Sequence, residues 1–309
     1  MKTLINDVRE FIRQDFDVFR YSASFTVLLL LIFLNYQLDF EKRYILKYSG
    51  QFKQVLLYFI WYAIPYFIVV KIQVQDDKSA SVFKSRFLIL SVVALLITSL
   101  NNSIYLPLKI TRSIEVPDQL FRFLAFLIVN CSALLLVLLP IYMISRFWKQ
   151  SLRTDYGFSF SVQPPQILFT AVLFIIPLIL AASFVPQFQL FYPLYKTGTA
   201  EPYLGLSALT TFSIYELSNA AYYFSIELLF RGLFLIAIIP FLGRKAVLTM
   251  VVIYAAIHFG KPLAETISSI FGGYILGVIA YKYRHISIGF LAHLTVAWTM
   301  DISTFLQKN

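Results

Sequence analysis

Apolar runs long enough to cross a lipid bilayer recur along the whole chain. A transmembrane helix needs about 20 consecutive apolar residues, and this chain of 309 residues is 59% hydrophobic and only 14% charged. Its mean hydropathy is +0.74, so a soluble globular domain is not the expected class. We predict an all-α, polytopic membrane helical bundle with about eight transmembrane helices. The apolar ranges are 22–38, 54–72, 87–107, 122–145, 166–185, 206–242 (too long for one straight crossing), 246–259, 266–281 and 287–305.

Three regions follow from the distribution of charge. Residues 1–20 carry charges of both signs between apolar residues at helical spacing, which predicts an interfacial amphipathic helix or, as the alternative, a helix that packs on the protein. Residues 21–203 form an N-terminal membrane-spanning region whose spans hold almost no ionisable groups away from their ends. A loop rich in Pro, Gly and polar residues, 186–205, precedes the C-terminal core, 204–309, whose spans hold several. The chemistry is therefore expected in the C-terminal core.

The net charge of +10 is spread over short loops between the predicted spans. Such loop charge fixes membrane topology and meets anionic headgroups. No basic patch with interleaved aromatic residues stands apart from the spans, so membrane lipid is an expected partner and nucleic acid is not. The single cysteine, Cys131, excludes an intramolecular disulfide and a cysteine metal cluster.

Ionisable residues within apolar segments are the strongest functional signal. Each costs about 2.5–3.5 kcal/mol on insertion, so each is a functional hypothesis by default. In the C-terminal core they are Glu216, Glu227, Arg231, His258, Glu265, His293 and Asp301.

The spacing of these residues suggests chemistry. Glu227 and Arg231 are four residues apart, so on a helix they share a face and can pair. A purely structural ion pair is the alternative. Two of the three histidines, His258 and His293, lie in apolar contexts. A carboxylate and an imidazole can activate water while a second imidazole stabilises negative charge, although both histidines with a carboxylate could also form a three-ligand zinc site.

The order of four short motifs resembles a known family. ELLFRG (227–232), YAAIHFGKP (254–262), GGYILG (272–277) and GFLAH (289–293) are similar to the CPBP family of intramembrane CAAX-processing and bacteriocin-processing proteases, also called ABI proteins. The resemblance covers residues 205–305. It implies a membrane-embedded glutamic endopeptidase with no metal or organic cofactor, acting on a protein or peptide in or near the membrane. It also implies that the glutamate of the first motif and the histidine of the second activate water, while the final histidine stabilises the oxyanion.

Two positions depart from the family pattern. The family's first motif is usually EExxxR, with the leading glutamate as the general base, and Ile226 stands at that place here. The final motif is usually HxxxN or HxxxD, and Ala297 stands at its last place. Glu265 and Asp301 are additional carboxylates that could take over lost roles. Glu265 would orient His258 or bind the substrate, and Asp301 would assist His293 in binding the oxyanion.

The working hypothesis is an intramembrane endopeptidase in which Glu227, held by Arg231, works with His258 to deprotonate water. The alternatives are a catalytically inactive CPBP-like membrane protein with an immunity, scaffold or regulatory role, and a transporter whose buried charges relay protons. The breadth of the family and the absence of organelle signals favour a multi-pass protein of the bacterial cell (inner) membrane. The predicted catalytic residues are Glu227, Arg231, His258, His293, Glu265 and Asp301.

Overall fold

A computed structural model describes residues 2–75, 85–158, 165–261 and 263–308 of the chain. These residues form helices joined by short connections, and no β-strand occurs among them. The α-helices are α1 (Lys2–Asp15), α2 (Val18–Leu38), α3 (Phe52–Gln73), α4 (Ser85–Ser103), α5 (Tyr105–Arg112), α6 (Asp118–Phe147), α7 (Leu152–Tyr156), α8 (Pro165–Ala182), α9 (Pro186–Phe191), α10 (Glu201–Leu204), α11 (Ala208–Glu227), α12 (Ile239–Leu242), α13 (Ala246–Ala256), α14 (Leu263–Tyr283) and α15 (Ser287–Lys308). Short π-helical or 3₁₀ segments are Glu41–Ile45, Leu46–Tyr48, Leu228–Leu233, Ile236–Ile238 and Gly243–Lys245.

The predicted all-α polytopic bundle is confirmed, and the protein is an integral membrane protein. Six stretches in the described part of the chain are long and apolar enough to cross a membrane. Two further predicted spans, 166–185 and 287–305, coincide with α8 and α15, which are not among the six. The count of about eight therefore stays a prediction. The six stretches are Val18–Leu38, Phe52–Gln73, Ser85–Ser103, Asp118–Phe147, Ala208–Ala256 and Leu263–Tyr283.

The long apolar range 206–242 is a bent path rather than one straight helix. Helix α11 ends at Glu227 and continues into the π-helical segment Leu228–Leu233, where the N–H of Phe234 donates to the carbonyl of Leu229 at 2.9 Å. A π turn widens the helix locally and is frequent at functional sites. Every side chain from 225 to 239 is buried. This path therefore forms the centre of the bundle, with α6 and α15 packed against α11.

The N-terminal helix α1 packs on the protein through one face. Asp7 accepts a hydrogen bond from Lys282 Nζ at 2.6 Å, and the ring of Phe11 is buried against aromatic rings of α14. Ile5 and Ile12, on another face, are exposed. One of the two predicted arrangements, packing on the protein, is thus present. The exposed apolar face is also suited to the membrane interface, where its location stays a prediction.

The predicted loop 186–205 contains two short helices, α9 and α10. Helix α10 ends at Gly205, whose positive φ of 64° is a conformation that favours glycine. Buried Glu201 accepts hydrogen bonds from the N–H of Gly198 at 2.8 Å and from the hydroxyl of Thr211. These contacts order the connection between α8 and α11.

Candidate active site

Glu227 is the centre of a buried charged cluster. It is the last residue of α11, and its side chain has no exposed surface. One carboxylate oxygen, Oε1, accepts hydrogen bonds from Arg231 Nη1 at 2.7 Å and from His293 Nδ1 at 2.8 Å. The pairing of Glu227 with Arg231 that the four-residue spacing predicts is therefore present, and His293 joins it from α15.

Arg231 is fully buried in the π-helical segment. Its guanidinium carbon lies 4.5 Å from the centre of the Tyr254 ring. A cation over the face of an aromatic ring is attracted by the electrons of that face. The positive charge of Arg231 is thus compensated by the Glu227 carboxylate on one side and by the Tyr254 ring on another.

Gly289, in the first turn of α15, makes room for the Glu227 carboxylate. A Cβ atom at this position would overlap Glu227 Oε2. Glycine permits this close approach of a backbone to a carboxylate because it has no Cβ. Gly289 and His293 are four residues apart and share a helix face. One face of α15 therefore supplies both the space for Glu227 and the imidazole that binds it.

His258 lies in the turn after α13, and the backbone of that helix orients its ring. Its Nδ1 is 2.7 Å from the carbonyl oxygen of Tyr254. A carbonyl can only accept a hydrogen bond, so Nδ1 must carry the proton. The lone pair of a neutral His258 is then on Nε2. Because His258 lines a cavity, this lone pair is available to a molecule bound there.

Tyr254 connects the two histidines. Its hydroxyl lies 3.1 Å from His293 Nε2, and its carbonyl binds His258. The His293 ring also lies against Tyr223, with ring centres 5.2 Å apart. Sequence reasoning did not single out Tyr254. The available signal was its position four residues before His258 in YAAIH, which puts both on one face of a helical segment.

A cavity of about 380 Å³ is lined by His258, His293 and Tyr254. Ile226 and Ala297 line the same cavity. The two positions that depart from the family pattern therefore both face the space next to the histidines. Glu227 is not part of the lining, because its carboxylate is enclosed by Arg231, His293 and the backbone of α15. We name the part of the cavity around His258, His293 and Tyr254 the histidine end.

Glu265 lies at the edge of the cavity and pairs with Lys261, with Nζ and Oε1 2.5 Å apart. The expectation that Glu265 orients His258 is not met. The carbonyl of Tyr254 takes that place because it is one helical turn before His258 and is directed toward it.

Asp301 lines the cavity but lies away from His293. Eight residues separate the two on α15, which is about 12 Å along a helix axis. Asp301 Oδ1 instead accepts a hydrogen bond from the N–H of Leu194 at 2.8 Å. Asp301 therefore does not contact His293 in this structure, because the helix keeps the two side chains apart, and its assistance in binding an oxyanion stays a prediction.

The zinc alternative needs three ligands close together. Among the residues that the structure describes, no group of three or more His, Cys, Asp and Glu side chains is arranged to hold a metal ion. His293 directs Nδ1 at Glu227, and His258 directs Nδ1 at a backbone carbonyl. The hydrogen bonds of both rings thus orient them within a polar cluster of protein groups.

One family model matches the part of the chain that contains this cluster. Residues 217–299 match a family model described as Rce1-like: type II CAAX prenyl endopeptidase Rce1-like. Over these residues, about a quarter of its length, the chain is similar to the CPBP family. The match spans Glu227, Arg231, His258, Glu265 and His293 and ends before Asp301. No curated protein and no solved structure matches the chain.

Proposed function

We propose that this protein is a CPBP-family intramembrane endopeptidase that hydrolyses a peptide bond of a membrane-associated protein or peptide. The match of residues 217–299 to a peptidase family model supports the reaction class. The observation that carries the proposal is the joining of His258 and His293 through Tyr254 at the wall of one cavity. We further propose the bacterial inner membrane as its location, from the breadth of the family.

His258 is the general base of the proposed reaction. Its Nε2 takes a proton from a water molecule in the cavity, and the water oxygen forms a bond to the carbonyl carbon of the substrate. The carbonyl oxygen becomes an oxyanion. When the tetrahedral intermediate collapses, the carbon–nitrogen bond breaks and the protonated His258 returns its proton to the leaving amine. The Tyr254 carbonyl keeps Nδ1 protonated throughout, so that Nε2 remains the reacting nitrogen.

The oxyanion binds at the other side of Tyr254. The Tyr254 hydroxyl is the donor that the cavity offers, and its contact with His293 Nε2 keeps it in place. A donor held in place before the reaction stabilises developing charge without reorganisation. Glu227 orients the His293 ring through Nδ1. In this mechanism Glu227 is a positioning residue that acts through His293, and Arg231 holds it.

Ile226 gives specific support to a second candidate function. Ile226 occupies the position of the family's leading glutamate, and its apolar side chain lines the cavity. Ala297, at the last position of the final motif, is also apolar and lines the same cavity. A CPBP-like protein that binds a peptide without cleaving it would need no carboxylate there. The two candidates differ in whether His258 changes a covalent bond, and one experiment separates them.

That experiment compares new N-termini in membrane fractions of cells that produce wild-type protein or the His258→Ala variant. A synthetic peptide that spans an identified site then gives the rate in proteoliposomes. Loss of the general base is expected to lower kcat/KM at least about a hundredfold. The matched control is His285→Gln, which changes a buried histidine in the turn between α14 and α15 and should retain cleavage. Equal products from wild type and His258→Ala would favour the binding protein.

A further inference from the structure

At the end of the cavity opposite the histidines, one carboxyl group lies in the lining and a second is buried on the neighbouring helix. Asp301 of α15 lines the cavity and is 1% exposed, and Glu216 of α11, outside the lining, is 6% exposed. Helices α11 and α15 are in contact, and the two carboxyl groups are close enough to interact electrostatically. We name Glu216 and Asp301 the acidic pair and this part of the cavity the acidic end. A cation bound beside two neighbouring buried carboxyl groups would stabilise their ionised forms.

No cation of the described structure lies in an ion pair with the acidic pair. In the described part of the chain, neither Glu216 oxygen accepts a hydrogen bond, and no lysine, arginine or histidine forms an ion pair with either member of the acidic pair. The lysine that lines the cavity, Lys261, is bound to Glu265. A buried charge without a partner is costly. A carboxyl group in a cavity wall without a cation beside it is typical of a site whose counter-ion is supplied by a ligand.

Aromatic rings line the cavity together with Asp301. Tyr192, Tyr215 and Tyr223 line the cavity, and all three interact electrostatically with Asp301. Ring faces attract ammonium and guanidinium groups, more strongly where water is excluded. Asn219, one turn after Glu216, also lines the cavity and is 4% exposed.

We propose that the acidic pair and these tyrosines form a subsite for a lysine or arginine side chain of the peptide substrate. The subsite rests on the proposed function, because it shares a cavity with His258 and His293. Asp301 lies about 12 Å along α15 from His293, and an extended peptide advances about 3.3 Å per residue. The cationic residue is therefore within about four residues of the bond that is cleaved.

The kinetic test places one lysine at each position up to five residues on either side of the scissile bond, with glutamine at the same positions for comparison. Wild-type protein in nanodiscs is expected to show a KM roughly tenfold to a hundredfold lower for lysine at one position. Asp301→Asn and Glu216→Gln should abolish this preference, so that lysine and glutamine peptides have equal KM values. Asparagine at position 301 can still accept a hydrogen bond from the N–H of Leu194, so the contact between Leu194 and α15 is kept. Glu115→Gln, at an exposed residue, is the matched control for loss of a carboxylate.

A binding test separates failure of the subsite from failure of the proposed function. Hexylammonium chloride should raise the unfolding temperature of wild-type protein in nanodiscs in a saturable way, whereas hexanol should not, and Asp301→Asn should lose the effect. If no peptide is cleaved but hexylammonium still stabilises only proteins with an intact acidic pair, the peptidase proposal fails and the cation subsite stands. The subsite is overturned if wild type and Asp301→Asn respond equally to hexylammonium, or if lysine is preferred at no position.

Discussion

The two ends of the cavity differ in how their buried charges are compensated. At the histidine end, Glu227 is bound by Arg231 and His293, and Arg231 also lies over the Tyr254 ring. At the acidic end, described residues provide no cation for Glu216 or Asp301. Compensated charges hold side chains in place before a substrate arrives. Uncompensated charge leaves binding energy for the substrate, which agrees with our proposals of catalysis at one end and recognition at the other.

The largest expected effect comes from removing the cation at the histidine end. Arg231→Met leaves the Glu227 carboxylate buried without its ion-pair partner, and breaking such a pair typically costs about 3–5 kcal/mol of unfolding free energy. Glu216→Gln at the acidic end removes an uncompensated charge and should cost less than about 1 kcal/mol. Chemical unfolding in detergent micelles measures both. Arg146→Met, at an exposed arginine, controls for loss of a cation, and equal losses for Arg231→Met and Glu216→Gln would contradict the comparison.

A smaller effect tests the enclosure of Glu227. Gly289→Ala adds a Cβ against Oε2, and the carboxylate cannot move aside without straining its bonds to Arg231 and His293. We expect a loss of about 1–3 kcal/mol in unfolding free energy, typical of overpacking, together with lower peptidase activity. Gly272→Ala is the matched control, since a Cβ there meets open space. Alanine favours a helix over glycine by about 1 kcal/mol, so this control should be neutral or stabilising. An equally stable Gly289→Ala protein would show that Glu227 is held less firmly than the structure indicates.

The smallest effect concerns the hydroxyl that joins the histidines. Tyr254→Phe removes the contact with His293 Nε2 but keeps the carbonyl that orients His258 and the ring that faces Arg231. One hydrogen bond is worth about 1 kcal/mol, so kcat should fall roughly fivefold with little change in KM or in thermal stability. Peptide hydrolysis at saturating substrate measures this effect, with Tyr44→Phe at an exposed tyrosine as the control. An unchanged kcat would remove Tyr254 from the oxyanion site.

Local spacing predicted part of the site. The contact between Glu227 and Arg231 follows from the helix repeat, because residues four apart are neighbours whatever the rest of the chain does. The all-α bundle follows from the apolar runs. The resemblance to CPBP proteases predicts that His258 and His293 belong to one site, but it does not predict that Glu227 binds His293 across 66 residues of sequence.

Other features depend on how the helices pack. The spacing of residues within one sequence does not predict which residues of different helices come into contact. The acidic pair joins residues of α11 and α15, and only their contact brings Glu216 to Asp301. The role of Gly289 depends on a carboxylate from another helix. Glu265 was expected near His258 because the two are close in sequence. Lys261 is closer to Glu265 in sequence, and it forms an ion pair with Glu265 in the structure.

The packing of α1 on α14 has a consequence for how the protein is made. Asp7 and its partner Lys282 are 275 residues apart, and ribosomes add roughly 5–20 residues per second. Helix α1 therefore leaves the ribosome roughly 15–55 s before its docking site exists. During that interval its exposed apolar residues, including Ile5 and Ile12, can hold it at the membrane surface. The first helix to be synthesised is thus among the last to reach its final partners, and its docking marks the completion of the bundle.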